Sequence, residues 1–286
     1  MTTVYLNGEY IPLGEAKISV EDRGFMLADG VYEVTSFYDG VPFCLDRHVE
    51  RLRRGLACMR IPCDADILDR VSRELIARNG LTEAPTSMVY LQITRGVAPR
   101  SHGFPKEPVS PTVYASAKAW ERPTPQRWSQ GYSAATVPDR RWGRVDIKTI
   151  CLLPNALATQ AALDAGADDA ILIKDGVAIE GSLHNFWAVL DGIVVTHPLT
   201  QGILAGITRS VVLEVARENG IRVEERPIQV EELSAAEELF FTGTTGEVRP
   251  CVSVDGRPVG DGEAGPVTRA LSRAFLKRVE RVKAGR

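Results

Sequence analysis

Three dipeptides fix the direction in which this chain can run: Asn7-Gly8, Asp39-Gly40 and Asp175-Gly176 each stand between short β-rich runs. A two-residue link of this kind requires left-handed backbone, which Asn, Asp and Gly tolerate, and it joins only antiparallel neighbours. "VYLNGEYI", "VYEVTSFYDGVPFCL" and "AILIKDGVAIEG" are therefore read as hairpins. Between them the period changes. "DRHVERLRRGLACMRI" and "DADILDRVSRELIARNG" carry helical spacing, the second opening at a capping Asp64 or Asp66 and stopping at Asn79-Gly80. "TSMVYLQITRG" returns to strand, followed by "VAPRSHGFPKEPVSP", a long stretch with no periodicity, and then the strand "TVYASAK". Patternless segments of that length inside compact domains are usually functional or disordered.

The proline- and charge-rich "AWERPTPQRW" divides the chain, giving an N-terminal domain over 1–118, a linker over 119–127 and a C-terminal domain over 128–286. The second half holds a strand around Lys148, the helix "PNALATQAALDAG", the Asp175-Gly176 hairpin and "HNFWAVLDGIVVTHP". The helix "TRSVVLEVARENG", the strand "ELFFTGT" and a last helix over roughly 264–282 complete it. Strands and helices mix without strict βαβ alternation, so the fold class is α+β in two domains.

Composition narrows the function classes. A formal net charge of −3 argues against a nucleic-acid surface. No apolar run approaches the roughly 18 residues of a membrane span, and no basic-then-apolar leader opens the chain. Five cysteines without CxxC spacing read as reduced thiols, so the expectation is a cytoplasmic protein. The four histidines never fall at i, i+4, which gives no reason to expect a metal.

Lysine is scarce: Lys17, Lys106, Lys118, Lys148, Lys174, Lys277 and Lys283 are the only lysines among 34 basic residues. Lys148 stands between Ile147 and Thr149, ahead of the apolar "ICLLP". A lysine in such a strand ordinarily snorkels to water. The sharper reading is a Schiff-base lysine, whose burial favours the neutral, nucleophilic amine. Glu180, closing the Asp175-Gly176 hairpin, is either a solvated corner or a carboxylate holding a pyridine nitrogen protonated, so that the ring withdraws electrons. "GILAGITRS" turns into a helix whose first N–H groups, near Ile207 and Thr208, form an anion site. "FFTGTTGEV" leaves a strand into a hydroxyl- and glycine-rich turn around Thr244, and Arg51 could add a forked cation. Each is weak alone, since Gly/Thr turns and solvated arginines are common.

In this order, "EDRGFMLADGVYEV", "RWGRVDIKTICLLPNALATQAA", "AIEGSLHNFWAV", "GITR" and "TGTTGEV" resemble the fold-type IV aminotransferases, which depend on pyridoxal 5′-phosphate. The similarity runs from about Tyr5 to the final helix and is nearest to the D-amino acid branch. It implies a small N-terminal α/β domain and a larger C-terminal domain with a β-barrel-like core. It also implies an active site between the domains, at the interface of a homodimer. The resemblance assigns Lys148 to the covalent link with the cofactor and to proton transfer, and Glu180 to the ring nitrogen. Arg51, Ile207, Thr208 and Thr244 surround the phosphate, Leu204 packs on the ring face, and Arg141 lies near the ring hydroxyl.

"VYEV" and "RGVAPRSHGFP" carry the branch. The D-amino acid enzymes trap the substrate carboxylate with a tyrosine, an arginine and a histidine, which fall on Tyr32, Arg100 and His102. The last two reach over from the partner subunit. A guanidinium forks onto a carboxylate and the other two add donors. The resemblance thus implies transfer of an amino group from a D-amino acid to a 2-oxo acid. A branched-chain L-aminotransferase, an (R)-amine transaminase, aminodeoxychorismate lyase and, from another class, a non-catalytic cofactor-binding protein are the alternatives. Two positions depart from the pattern. Ser182, Leu183 and His184 follow the Glu180-Gly181 pair where small hydroxyl residues are usual, and Asp169 stands where glutamate is more frequent.

Overall fold

The computed structural model describes residues 2–285. They fall into two compact units: 2–121 with Ile147–Cys151 and residue 285, and Arg122–Asp146 with Leu152–Ala284. The Lys148 segment therefore belongs to the first unit although it lies far along the chain.

The first unit opens with β1 (Thr3–Leu6) and β2 (Glu9–Pro12), a short α1 (Arg23–Leu27), then β3 (Gly30–Tyr38) and β4 (Val41–Pro42). It continues with α2 (Leu45–Met59), α3 (Ile67–Arg78), β5 (Ser87–Thr94) and β6 (Thr112–Ala119). The strands form one antiparallel sheet in the order β2-β1-β6-β5-β3-β4. Alternate residues Val89, Leu91 and Ile93 of β5 and Val113, Ala115 and Ala117 of β6 face one core. Leu52 and Leu56 of α2 and Leu68, Val71 and Leu75 of α3 supply its other side. Full burial of such a side chain stabilises by about 1.5–3 kcal/mol, which holds these helices on the sheet. Asp66 caps α3 by position but makes no side-chain cap bond; the backbone N–H of Asp66 donates to Asp64 Oδ1 at 3.0 Å instead.

The second unit contains α4 (Pro125–Gln130), β7 (Tyr132–Pro138), α5 (Leu153–Asp164), β8 (Asp169–Lys174), β9 (Val177–Gly181), β10 (Asn185–Leu190) and β11 (Ile193–Thr196). After these come α6 (Ile207–Glu218), β12 (Val223–Glu225), β13 (Ile228–Gln229), β14 (Glu238–Gly243), β15 (Glu247–Val254), β16 (Arg257–Pro258) and α7 (Pro266–Ala284). Along β10-β14-β15-β7-β8-β9 each strand pairs with the next, and β9 pairs back onto β10 through Glu180 and Asn185. The result is a closed six-stranded barrel. Ala134, Ile171, Ala178, Phe186, Ala188, Leu239, Phe241 and Cys251 share one buried cluster, the alanines leaving room for the phenylalanines in so narrow a ring. The outer face of β7 and β8 packs Ala135, Ala170 and Leu172 against Ala158 and Ala162 of α5.

All three Asx-Gly hairpins form, with positive φ at both residues of each turn. One element differs from its sequence reading. The strand around Lys148 is a single bridge, Thr149 to Val31, because the segment crosses the end of β3 rather than running along it.

Candidate active site

In the first unit, strand β3 sorts its side chains by alternation. Tyr32 lies half-buried on one face, while Glu33 points into the protein and is fully buried. The Tyr32 backbone N–H donates to the Lys148 carbonyl at 3.0 Å, and the Lys148 ammonium stands 4.2 Å from the centre of the Tyr32 ring. Ile147 and Thr149 are buried on either side, so the backbone is anchored while the lysine side chain stays half-exposed. Arg51 of α2 forks onto Glu33, Nε to Oε1 at 2.7 Å and Nη2 to Oε2 at 2.8 Å. His48, one turn earlier, completes the group with Nδ1 at 2.8 Å from Glu33 Oε2. Burial pushes the Glu33 carboxyl up, but Arg51 and His48 outweigh it and hold it well below the usual range. His48 itself is lowered by burial, with Arg51 and Lys148 pushing the same way. Arg100 and His102 are exposed on the 97–111 segment, which contains no helix or strand.

In the second unit Glu180 is the penultimate residue of β9, at 3% exposure. Asn185 Nδ2 donates to its Oε1 at 2.7 Å, the Leu204 N–H donates to the same oxygen at 3.1 Å, and Arg141 pairs with Oε2. Arg141 also bonds both oxygens of Asp139, at 3.0 and 2.8 Å, and the Gly202 carbonyl at 3.2 Å. Its guanidinium thus links two acids. Burial pushes the Glu180 carboxyl up to about 7 in spite of Arg141, a direction that follows from complete removal from water. Asn185 reaches back to the Leu204 carbonyl at 2.9 Å, which seats Leu204, itself half-buried, beside Glu180. Two residues on, α6 begins at Gly206, which offers no side-chain cap to the first turn at Ile207 and Thr208. A Cβ on Gly206 would stand 2.0 Å from Asn185 Oδ1, so the carboxylate's partner and the helix start are packed through a glycine. Thr244 sits in the turn between β14 and β15.

The family profile described as Amino-transferase class IV matches residues 30–254. The chain belongs to the class IV aminotransferases. A D-alanine aminotransferase of Staphylococcus haemolyticus is 41% identical to it over 98% of this chain and 99% of that protein. Among solved structures, the branched-chain amino acid aminotransferase of Escherichia coli superimposes with a TM-score of 0.90 at 29% identity, covering 96% of this chain and 94% of that one. The T.th. branched-chain amino acid aminotransferase, solved with pyridoxamine 5′-phosphate, gives 0.88 at 28% identity, over 96% and 93%. The class IV aminotransferases use pyridoxal 5′-phosphate. Each unit by itself carries residues that fit that group: the first a half-exposed lysine on an anchored backbone, the second a buried carboxyl and a helix N-terminus without a side-chain cap.

Two residues of this aminotransferase, Glu33 and Arg249, escaped the reading of the sequence. Glu33 was detectable, since a glutamate on the buried parity of "VYEVTSF" needs a cation. Arg249 was not, because nothing local marks it, and the partner of His184 appears only in the fold. His184 Nδ1 lies 2.8 Å from Asp169 Oδ2, Arg249 Nη2 bonds the same oxygen, and Ser182 Oγ donates to Oδ1 at 2.6 Å. The His184 ring fills the space beside Gly243 and Gly246, where a Cβ would come within 2.5 and 3.1 Å of it. The side chains at 169 and 184 are thus bonded to each other, and His184 packs against the turn that carries Thr244.

Burial raises the Asp169 carboxyl, but His184, Arg249 and Ser182 outweigh it and hold it at about 2. A native value below the ordinary 3.8 means Asp169 stabilises the fold fully above pH 4, and that this contribution is lost as pH falls toward 2. Glu180 has the opposite sign, weakening the cofactor-free fold as pH rises from 4.5 to about 7. Asp169→Asn should therefore be less stable than wild type at neutral pH and less pH-sensitive below pH 4. Urea midpoints across that range read this directly; an acid limb as steep as wild type would remove Asp169 from the account.

Proposed function

We propose that this aminotransferase moves the amino group of a D-amino acid to a 2-oxo acid such as 2-oxoglutarate or pyruvate, in two half-reactions through pyridoxamine phosphate. The observation that carries the reading is the 97–111 segment. It presents Arg100 and His102 together in solvent, a guanidinium and an imidazole suited to a carboxylate. The 41% identity to a D-alanine aminotransferase supports it further. Likeness to the branched-chain enzymes is shared fold at lower identity.

In this reading Lys148 would hold the cofactor covalently and would take the proton from, and return one to, the substrate carbon. When bound, pyridoxal phosphate supplies an electron sink for the charge left on that carbon. Glu180 would be the anion that keeps the ring nitrogen protonated, held in place by Asn185 and Arg141. The N–H groups of Ile207 and Thr208, the Thr244 turn and Arg51 take the phosphate, with Arg51 aimed by Glu33. Leu204 packs against the ring and Tyr32 adds a donor to the carboxylate. The active unit is a homodimer, supported by α5, whose Leu153 and Leu157 are 71% and 61% exposed on one helical face. Cysteines held as thiols rather than as disulfides favour the cytoplasm.

D-Alanine with 2-oxoglutarate should yield pyruvate much faster than L-alanine does, and the visible absorbance of the bound cofactor should fall on adding D-alanine alone. Equal rates for both enantiomers, or preference for L-leucine, would move the enzyme to the branched-chain class.

A further inference from the structure

The 97–111 segment lacks regular structure, yet its ends are pinched and its interior is tied down. Gly96 enters it at φ +106°, and a Cβ there would lie 2.0 Å from the Ser110 carbonyl oxygen, so the two sides of the neck meet at a position that excludes any side chain. Asp22 secures the entry: Oδ1 accepts from the Gly24 N–H at 2.8 Å, Oδ2 from Thr94 Oγ1 at 3.0 Å, and the residue bridges to Val97.

Deeper in the same unit lies Asp29, 7% exposed. Arg23 Nε donates to its Oδ2 at 2.8 Å, and Arg95 forks onto both oxygens at 2.7 and 2.9 Å. Both guanidiniums are buried, and each has a second partner in or near the loop. Arg23 Nη1 donates at 2.7 Å to the carbonyl of Ser101, the residue between Arg100 and His102. Arg95 donates to the carbonyls of Met59 and Arg60 at 2.7 and 2.9 Å, at the end of α2, while its guanidinium lies 3.6 Å over the Phe104 ring. Arg60 approaches the same ring at 4.8 Å. Two like charges are held side by side under the loop by one carboxylate, and the pair grips the loop at 101 and 104.

We propose that Asp29 is a positioning residue for the substrate carboxylate. Through Arg23 and Arg95 it fixes Ser101 and Phe104, and with them the direction of Arg100 and His102. A loop already ordered spares each binding event the entropy of ordering it. The inference rests on the reading of Arg100 and His102 as carboxylate donors.

Asp29→Asn removes the charge at constant shape; Phe104→Ala removes the outer tie at a ring that is 45% exposed, with little cost to the core. In the holoenzyme, tryptic cutting after Arg100 and Lys106, followed by fragment mass, should quicken about ten-fold in both, the scale of one lost hydrogen bond to a charged group in the first and of a lost cation–π contact in the second. The KM for D-alanine should rise by a similar factor while kcat is nearly kept. If Asp29→Asn does not fold, Phe104→Ala decides alone. Unchanged cleavage in folded Phe104→Ala, or faster cleavage with an unmoved KM, overturns the proposal. The reading beneath it fails separately, on an Arg100→Ala enzyme that binds D-alanine as wild type does.

Discussion

Lys148→Ala folds with a wild-type melting temperature and turns over no D-alanine. The fold survives because the neighbours do the packing: Ile147 is buried in the core, Thr149 bridges to Val31, and the Lys148 carbonyl keeps its bond from Tyr32 whatever its side chain. Activity goes because Lys148 is the group proposed both to bind an aldehyde and to return a proton. Loss of general acid–base transfer alone is worth roughly 10²–10⁴-fold, and loss of the covalent link adds to it. Cofactor still binds, through the phosphate. Single-turnover rates together with borohydride fixation test this. Near-normal turnover, or fixation at Lys174 or another of the remaining lysines, would refute the assignment.

Arg100→Ala, the second large effect, changes what the enzyme accepts. Its side chain is exposed and outside the Asp29 network, so stability stays put. Binding of a D-amino acid should weaken by about 2–5 kcal/mol, the cost of stranding one member of a desolvated charge pair. Turnover of an amine without a carboxylate should fall far less. If the loop serves the neighbouring subunit, co-expressing Lys148→Ala with Arg100→Ala restores activity, because one site of the mixed dimer receives both intact residues. Equal damage to amines and amino acids would make Arg100 a structural residue. Mixed dimers as inactive as their parents would confine the loop to its own subunit.

What could be read from the chain followed physical locality. The Asx-Gly turns announced themselves because a two-residue link with positive φ admits few residue types. Asp191-Gly192 and Asp255-Gly256 form the same turn and carry the same signal, though the reading passed over them. Strands β7 and β15 were illegible for another reason. "YSAATVP" and "EVRPCVSV" lack clear alternation, and their parallel pairing with each other is a contact across more than a hundred residues. Lys148 stood out by residue type, yet its strand was misread because burial at 147 and 149 comes from crossing β3. Clusters assembled from distant segments, such as Asp169 with His184 and Arg249, leave no mark on any window of sequence.

The barrel closes at Glu180, the residue proposed to face the cofactor's ring nitrogen. Only Ser182, Leu183 and His184 separate β9 from β10, and the pair that joins the ring is Glu180 with Asn185. An insertion or deletion between them would shift every register around a ring that has no free edge to absorb it. Diversification of this region must therefore proceed by exchange of side chains at constant length. The 97–111 loop, fastened only at its neck and at two interior points, can grow or shrink. An engineer altering this enzyme would vary letters at the seam and length at the loop.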